Sequence, residues 1–146
     1  MTQIKITVTN LDAVQRALDQ FGAKAEKEIA TVLDAVGTSI INGVKKQMRE
    51  SKSGRTYKRG RFGRDHVASA PGEAPAVDTG RLINSSIYKS RVSPLELLVG
   101  SNVKYSEYLE FGTRRIKPRP SWTLEVYAHQ QKMDKLIEAA IKRASQ

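Results

Sequence analysis

The side chains in this 146-residue chain that could do chemistry are few: two histidines, scattered carboxylates and one dense run of cations, with no cysteine. A general base or an activated nucleophile needs a partner side chain within hydrogen-bond reach. His66 sits in the cationic run and His129 lies beside Gln130 and Gln131, with no Asp or Glu read at a spacing that would make either ring a base or a ligand. Both read as structural or solvated. Asp65, Glu73 and Asp78 are dispersed through Pro- and Gly-rich sequence without the ligand spacing of a calcium loop. Gly60-Arg61-Phe62-Gly63 and Gly112-Thr113 lack the Lys and the strand and helix setting of a phosphate-binding loop. No metal or cofactor is expected, and an enzyme is not the reading these residues support.

The cations carry more information. Lys45, Lys46, Arg49, Lys52, Arg55, Lys58, Arg59, Arg61 and Arg64 stand against Glu50 alone, nine minus one or +8, within a chain whose formal net charge is +10. Ser51, Ser53, Gly54, Gly60 and Gly63 punctuate the run, and no apolar periodicity follows Met48. Self-repulsion and backbone freedom then favour a flexible loop over about 51–76 that needs an acidic counterpart to become ordered. Its Arg and Lys side chains could meet phosphate oxygens while Tyr57 and Phe62 stack on bases, a contact indifferent to sequence and sensitive to salt. The same cations could equally pair with carboxylates of a neighbouring protein. A solvated loop with no dedicated partner is the third reading.

Something must hold that loop, and the length and 39% apolar content suit one domain over 1–146. Without cysteine, disulfides and thiolate metal sites are unavailable and a reducing compartment is the simplest home. No leader peptide or run of eighteen apolar residues is present, so a soluble protein with no membrane partner is expected. Ile4, Ile6 and Val8 alternate with Lys5 and Thr7 as in a half-buried strand over 3–8. From Val14 to Met48, apolar residues recur every three or four positions, the period of one helix face, over about 11–49. Such a helix would be roughly 60 Å long, and Gly22 is the expected place for a break, whereas the stripe runs straight through Gly37 and Gly43.

Further along, alternation from Arg81 to Arg91, a turn at Val92-Ser93-Pro94 and a strand from Leu95 to Gly100 predict a hairpin. A short helix is expected over 103–111, ended by Gly112 in the left-handed conformation, and a last amphipathic helix capped by Ser121. The sum is an α+β domain: a small, mostly antiparallel sheet packed against a long N-terminal helix and a C-terminal helix, with the long basic loop between them.

Two segments carry a resemblance. Tyr105-Ser106-Glu107-Tyr108-Leu109-Glu110-Phe111-Gly112-Thr113-Arg114-Arg115, closed by Pro118-Arg119-Pro120, and the upstream stretch from Pro71 to Leu82 containing Asp78-Thr79-Gly80-Arg81, are similar to a family of tailed-phage neck and tail-completion proteins. That family is grouped with minor tail components similar to the lambda tail protein Z. The resemblance runs from the first long helix to Trp122. It implies a non-catalytic virion protein of the neck or upper tail, assembled in the host cytoplasm. It also implies a closed ring, a hexamer by analogy with tail symmetry, around the DNA channel and against tail-terminator, tail-tube and head-completion proteins.

Within the motif, Tyr105, Tyr108, Leu109 and Phe111 at helical spacing read as core. Glu110 would pair with Arg114 or Arg115, within the subunit or across a ring interface, to hold the turn at Gly112. Asp78-Thr79-Gly80 before Arg81 reads as a tight turn whose Asp or Thr side chain accepts from nearby backbone N–H groups, anchoring the loop's return.

Overall fold

A computed structural model describes residues 11–60, 63–84 and 87–146. The strand expected over 3–8 lies outside the described residues, as do Arg61 and Phe62. The elements run α1 (Leu11–Arg49), β1 (Thr56–Tyr57), β2 (His66–Val67), α2 (Arg81–Asn84), β3 (Ile87–Ser93), β4 (Glu96–Ser101), α3 (Tyr105–Phe111) and α4 (Trp122–Ala144). The α+β class read from the sequence holds, with the strands forming two separate antiparallel pairs, β1–β2 and β3–β4, among the described residues.

Helix α1 is one uninterrupted helix of 39 residues, so the break expected at Gly22 does not occur. Gly22 has open space around it, and a lone glycine costs a helix only about 1 kcal/mol relative to Ala. Such a cost is too small to break a helix whose downstream half is packed. Val32, Val36, Ile40, Val44 and Met48 form the buried stripe, joined by Ile83 and by Ala140 of α4, with Ile29, Leu82, Val99, Trp122 and Met133 at its edge.

Both glycines inside the stripe serve contacts. A Cβ at Gly37 would collide with Leu97 of β4, and one at Gly43 would occupy the space of the Glu125 carboxylate on α4. The first absent side chain lets the hairpin lie down on α1 and the second lets a polar group of α4 do so.

The expected hairpin forms, but its turn is Pro94-Leu95 rather than Val92-Ser93-Pro94, since Val92 and Ser93 still belong to β3: Arg91 opposes Leu97 and Ser93 opposes Glu96, with a bulge between Arg91 and Ser93. Upstream of it, Arg81–Asn84 is a helical turn where the alternation suggested strand. The Asn84 N–H donates to the Gly80 carbonyl at 2.8 Å, and Gly80 has a positive φ of 77° that starts this turn. Over so few residues, apolar Leu82 and Ile83 suit either element, and burial of Ile83 in the core decides for helix.

Polar clamps fix the hairpin to α1. Asp34 pairs with Lys89 at 3.2 Å and Arg91 at 2.6 Å, and the Arg91 guanidinium also donates to the Ala30 carbonyl at 3.0 Å. Side-chain hydrogen bonds from Arg91 first, then Lys89, hold the Asp34 carboxyl below its usual range.

Candidate functional site

The basic segment begins on α1 and continues into the loop. Lys45, Lys46 and Arg49 occupy the last turns of the helix, where cations complement the carbonyl end of the dipole. Lys52 donates to the Gln47 carbonyl at 2.6 Å, closing the helix end. The segment expected to be a plain loop contains a short ladder: Thr56 opposes Val67 and Tyr57 opposes His66. The Tyr57 and His66 rings stack with centroids 6.5 Å apart, and the Arg55 guanidinium lies 5.5 Å from the Tyr57 ring centre. Arg59 pairs with Asp78. Among the described members of the cationic set, Arg59 is the one with a carboxylate at ion-pair distance. Lys46, Arg49, Arg55, Lys58 and Arg64 are exposed.

Glu73 staples the base of this loop. Its carboxylate accepts from the Ser53 hydroxyl at 2.5 Å, the Ser53 N–H at 3.2 Å and the Ala70 N–H at 2.8 Å. Those donors, the Ser53 hydroxyl foremost, lower its pKa. Gly54 donates to the Ala68 carbonyl and Ala68 to that of Arg55, both at 3.0 Å. The far side is tied to the motif segment: Gly72 donates to the Pro118 carbonyl at 2.9 Å and the Arg119 Nε to the Ser69 carbonyl at 3.1 Å. The two segments singled out in the sequence are therefore adjacent in space.

Between them opens a cavity of about 350 Å³. Met48, Leu82, Ile83, Tyr105 and Leu109 give it an apolar lining, and His66, Asp78, Arg81 and Arg119 also face it. At the Asp78-Thr79-Gly80 turn, the Thr79 hydroxyl accepts from the Arg81 N–H at 3.4 Å, and Asp78 is used on Arg59 rather than on backbone.

Glu110 is the buried charge of the motif, 8% exposed. It does not pair with Arg114 or Arg115. Its Oε2 accepts the N–H groups of Ser121 at 2.9 Å and Trp122 at 3.2 Å, and its Oε1 accepts that of Thr123 at 2.7 Å. These are orphan donors of the first turn of α4, where the helix dipole favours negative charge. Ser121 holds the cap position, as the sequence suggested, but its own side chain makes no cap bond; the carboxylate arrives from α3 instead. Burial pushes the Glu110 pKa up, yet the backbone donors of Thr123, Ser121 and Trp122, with the Thr123 hydroxyl, outweigh it and the net shift is downward.

Gly112 ends α3 with φ 77° and ψ 179°, an extended region open essentially to glycine alone, rather than the left-handed helical conformation expected. A Cβ there would stand 2.7 Å from the Ile116 carbonyl oxygen. Thr113 closes the next turn by accepting from the N–H groups of Arg115 at 3.2 Å and Ile116 at 3.1 Å. Arg114 and Arg115 are exposed, and Pro120 is half-buried ahead of the α4 cap.

The aromatic residues of the motif correct a second expectation. Tyr105, Tyr108 and Phe111 are not core: they are 40%, 54% and 72% exposed. Leu124 and Tyr127 are also exposed, on α4 near its capped end. Helical spacing groups side chains on one face without saying whether that face looks inward.

One polar cluster escaped the sequence reading, although its signal was present: Glu125 lies one helical turn before His129. The His129 Nδ1 is 2.8 Å from the Glu125 carbonyl oxygen and 3.8 Å from its carboxylate, and the Nε2 is 2.8 Å from the Ser39 hydroxyl. Gln47 donates to the same carboxylate at 2.6 Å. A serine, a histidine and a glutamate in sequence of contact suggest a hydrolytic triad, but the oxyanion requirement is unmet. Ser39 lies mid-helix on α1, where the neighbouring N–H groups are committed to carbonyls four residues back. The cluster bridges α1 and α4. Among the described residues no group of three His, Asp or Glu side chains could hold a metal ion, and no helix is long and apolar enough to cross a membrane.

A long helix carrying a two-stranded hairpin, with a glutamate-capped second helix and a Glu-Phe-Gly-Thr turn, defines a structural class rather than a reaction. Residues 12–112 match the family model described as "Bacteriophage HK97-gp10, putative tail-component", and the chain belongs to that HK97-gp10-like family of phage tail components. It is a family of structural tail proteins and not an enzyme class, and a tail component belongs to the virion. No curated protein and no solved structure matches the chain.

Proposed function

We propose that this chain is a non-catalytic subunit of the phage neck that joins or completes the tail at the head–tail interface, as one member of a closed ring around the DNA channel. The observation that carries this reading is the family match over 12–112, taken with the exposed apolar and aromatic side chains of Tyr105, Tyr108, Phe111, Leu124 and Tyr127. Apolar area left open in the single chain is area that neighbours can cover, and assembly is then driven by its burial. A ring of six copies follows from the symmetry of tails, and the adjoining partners are tail-terminator, tail-tube and head-completion proteins. The exposed cations Lys46, Arg49, Arg55, Lys58 and Arg64, without a carboxylate at ion-pair distance among the described residues, suit the acidic surfaces such neighbours would offer. The mass of the purified chain, alone and mixed with each candidate partner, tests the reading: closed oligomers or stable complexes support it, and a monomer indifferent to every partner refutes it.

A second reading, favoured by the stacked Tyr57–His66 pair among exposed cations, is nucleic-acid binding without sequence preference. Duplex binding by the isolated chain that is micromolar or tighter and falls steeply with salt would support it, and weak binding would favour the neck.

A further inference from the structure

The start of α1 leaves an apolar stripe open. Residues 15–24 are all exposed, and among them Leu18 at 59% and Phe21 at 38% continue, at three- and four-residue spacing through Ala25 and Ile29, the stripe that downstream forms the core. At the other end of α1 lies the cavity whose apolar wall is formed by Met48, Ile83, Tyr105 and Leu109, with His66, Asp78 and Arg119 at its polar side and Val77 and Tyr105 exposed at its mouth. Phe21 and Met48 are 27 residues apart in one straight helix, about 40 Å, so the two features cannot meet within a chain.

Charge decides how two copies can meet. The cavity borders the basic segment, +8 over 45–64, whereas residues 11–28 hold Asp12, Asp19, Glu26 and Glu28 against Arg16, Lys24 and Lys27, four against three or −1. Two basic ends repel each other, and a basic end facing the start of α1 does not. We propose that Leu18 and Phe21 of one copy seat in the Tyr105–Leu109 cavity of a second copy of this chain, head to tail. Such a contact is heterologous: it leaves one free end of each kind and extends until a ring closes. A helix presenting anchors at i and i+3 to a preformed apolar slot is an established recognition geometry, and anchors of this kind dominate interface energies. The inference rests on the ring reading and names the surface that reading lacks.

The test uses the full chain and two variants at exposed positions. L18E/F21E spoils the projecting end, and V77K/Y105A spoils the slot. Sedimentation of the wild type across micromolar concentrations should show assembly, and each variant alone should remain monomeric, with association weakened at least about thirtyfold. Unchanged helical circular dichroism establishes that both variants are folded. Mixing them is the decisive step, because each retains the half the other lost. The mixture should form one-to-one dimers and nothing larger. A mixture that stays monomeric, or variants that assemble like the wild type, overturns the head-to-tail contact while leaving ring formation by another surface intact. A wild type that is monomeric at every concentration overturns both.

Discussion

Removing the Glu110 carboxylate should unfasten α4 from α3. Three backbone donors converge on it at 2.7–3.2 Å in a site 8% exposed. Hydrogen bonds to a charged group contribute about 1.5–3 kcal/mol each when measured singly, and they do not add because water can reach a frayed first turn. Glu110→Ala should therefore cost about 2–4 kcal/mol, and Glu110→Gln, which turns an amide NH2 toward N–H donors, about 1–2 kcal/mol. At about 3 °C per kcal/mol for a chain of this size, the alanine variant should melt about 6–12 °C lower by calorimetry. Titration offers a second readout. The Glu110 pKa lies below its ordinary 4.5, so its stabilisation is complete above 4.5 and fades as pH falls through the lowered value. The acid limb of the stability profile should therefore flatten in Glu110→Gln. An Arg114→Ala/Arg115→Ala double variant should be nearly silent, within about 0.5 kcal/mol. A silent Glu110→Ala, or an equal loss on removing the two arginines, would refute the cap and restore the ion pair.

Other consequences follow from the same contacts. Gly22→Ala, with open space around the site, should raise stability by about 0.5–1 kcal/mol, while Gly43→Ala should lower it by about 1–2 kcal/mol because the Glu125 carboxylate must move; chemical denaturation measures both. Glu73→Ala should loosen the base of the basic hairpin, seen as faster hydrogen exchange at Ser53 and Ala70, with protection at the Glu110 cap unchanged. Ser39 should not react with a fluorophosphonate probe, since the N–H groups beside it on α1 are committed to helix carbonyls; covalent labelling at Ser39 would contradict the non-catalytic reading.

Long-range order was legible where periodicity was long. The α1 stripe from Val14 to Met48 predicts a helix whose bounds, Leu11–Arg49, are those observed, and the hairpin was legible although its turn falls at Pro94-Leu95, later than the Val92-Ser93-Pro94 expected. What escaped was whatever depended on a partner distant in sequence. Ser121 looked like the cap because the local rule favours serine, yet the carboxylate eleven residues earlier reached the same donors with full charge. Arg114 and Arg115 looked like the Glu110 partners because they are near in sequence, and the turn at Gly112 carries them out to solvent. Tyr105, Tyr108 and Phe111 have the spacing of a buried stripe, and that spacing groups side chains on one face without stating whether the face looks inward; here it is exposed. His129 and Glu125 are a different case: one helical turn apart, their pairing is legible from spacing alone.

The most direct test of the structural role is imaging of intact phage particles in which this chain carries a small density label. The label is expected as a closed ring at the junction of head and tail, in register around the channel. Label elsewhere on the particle, or particles of normal form and infectivity that lack the chain altogether, would contradict it.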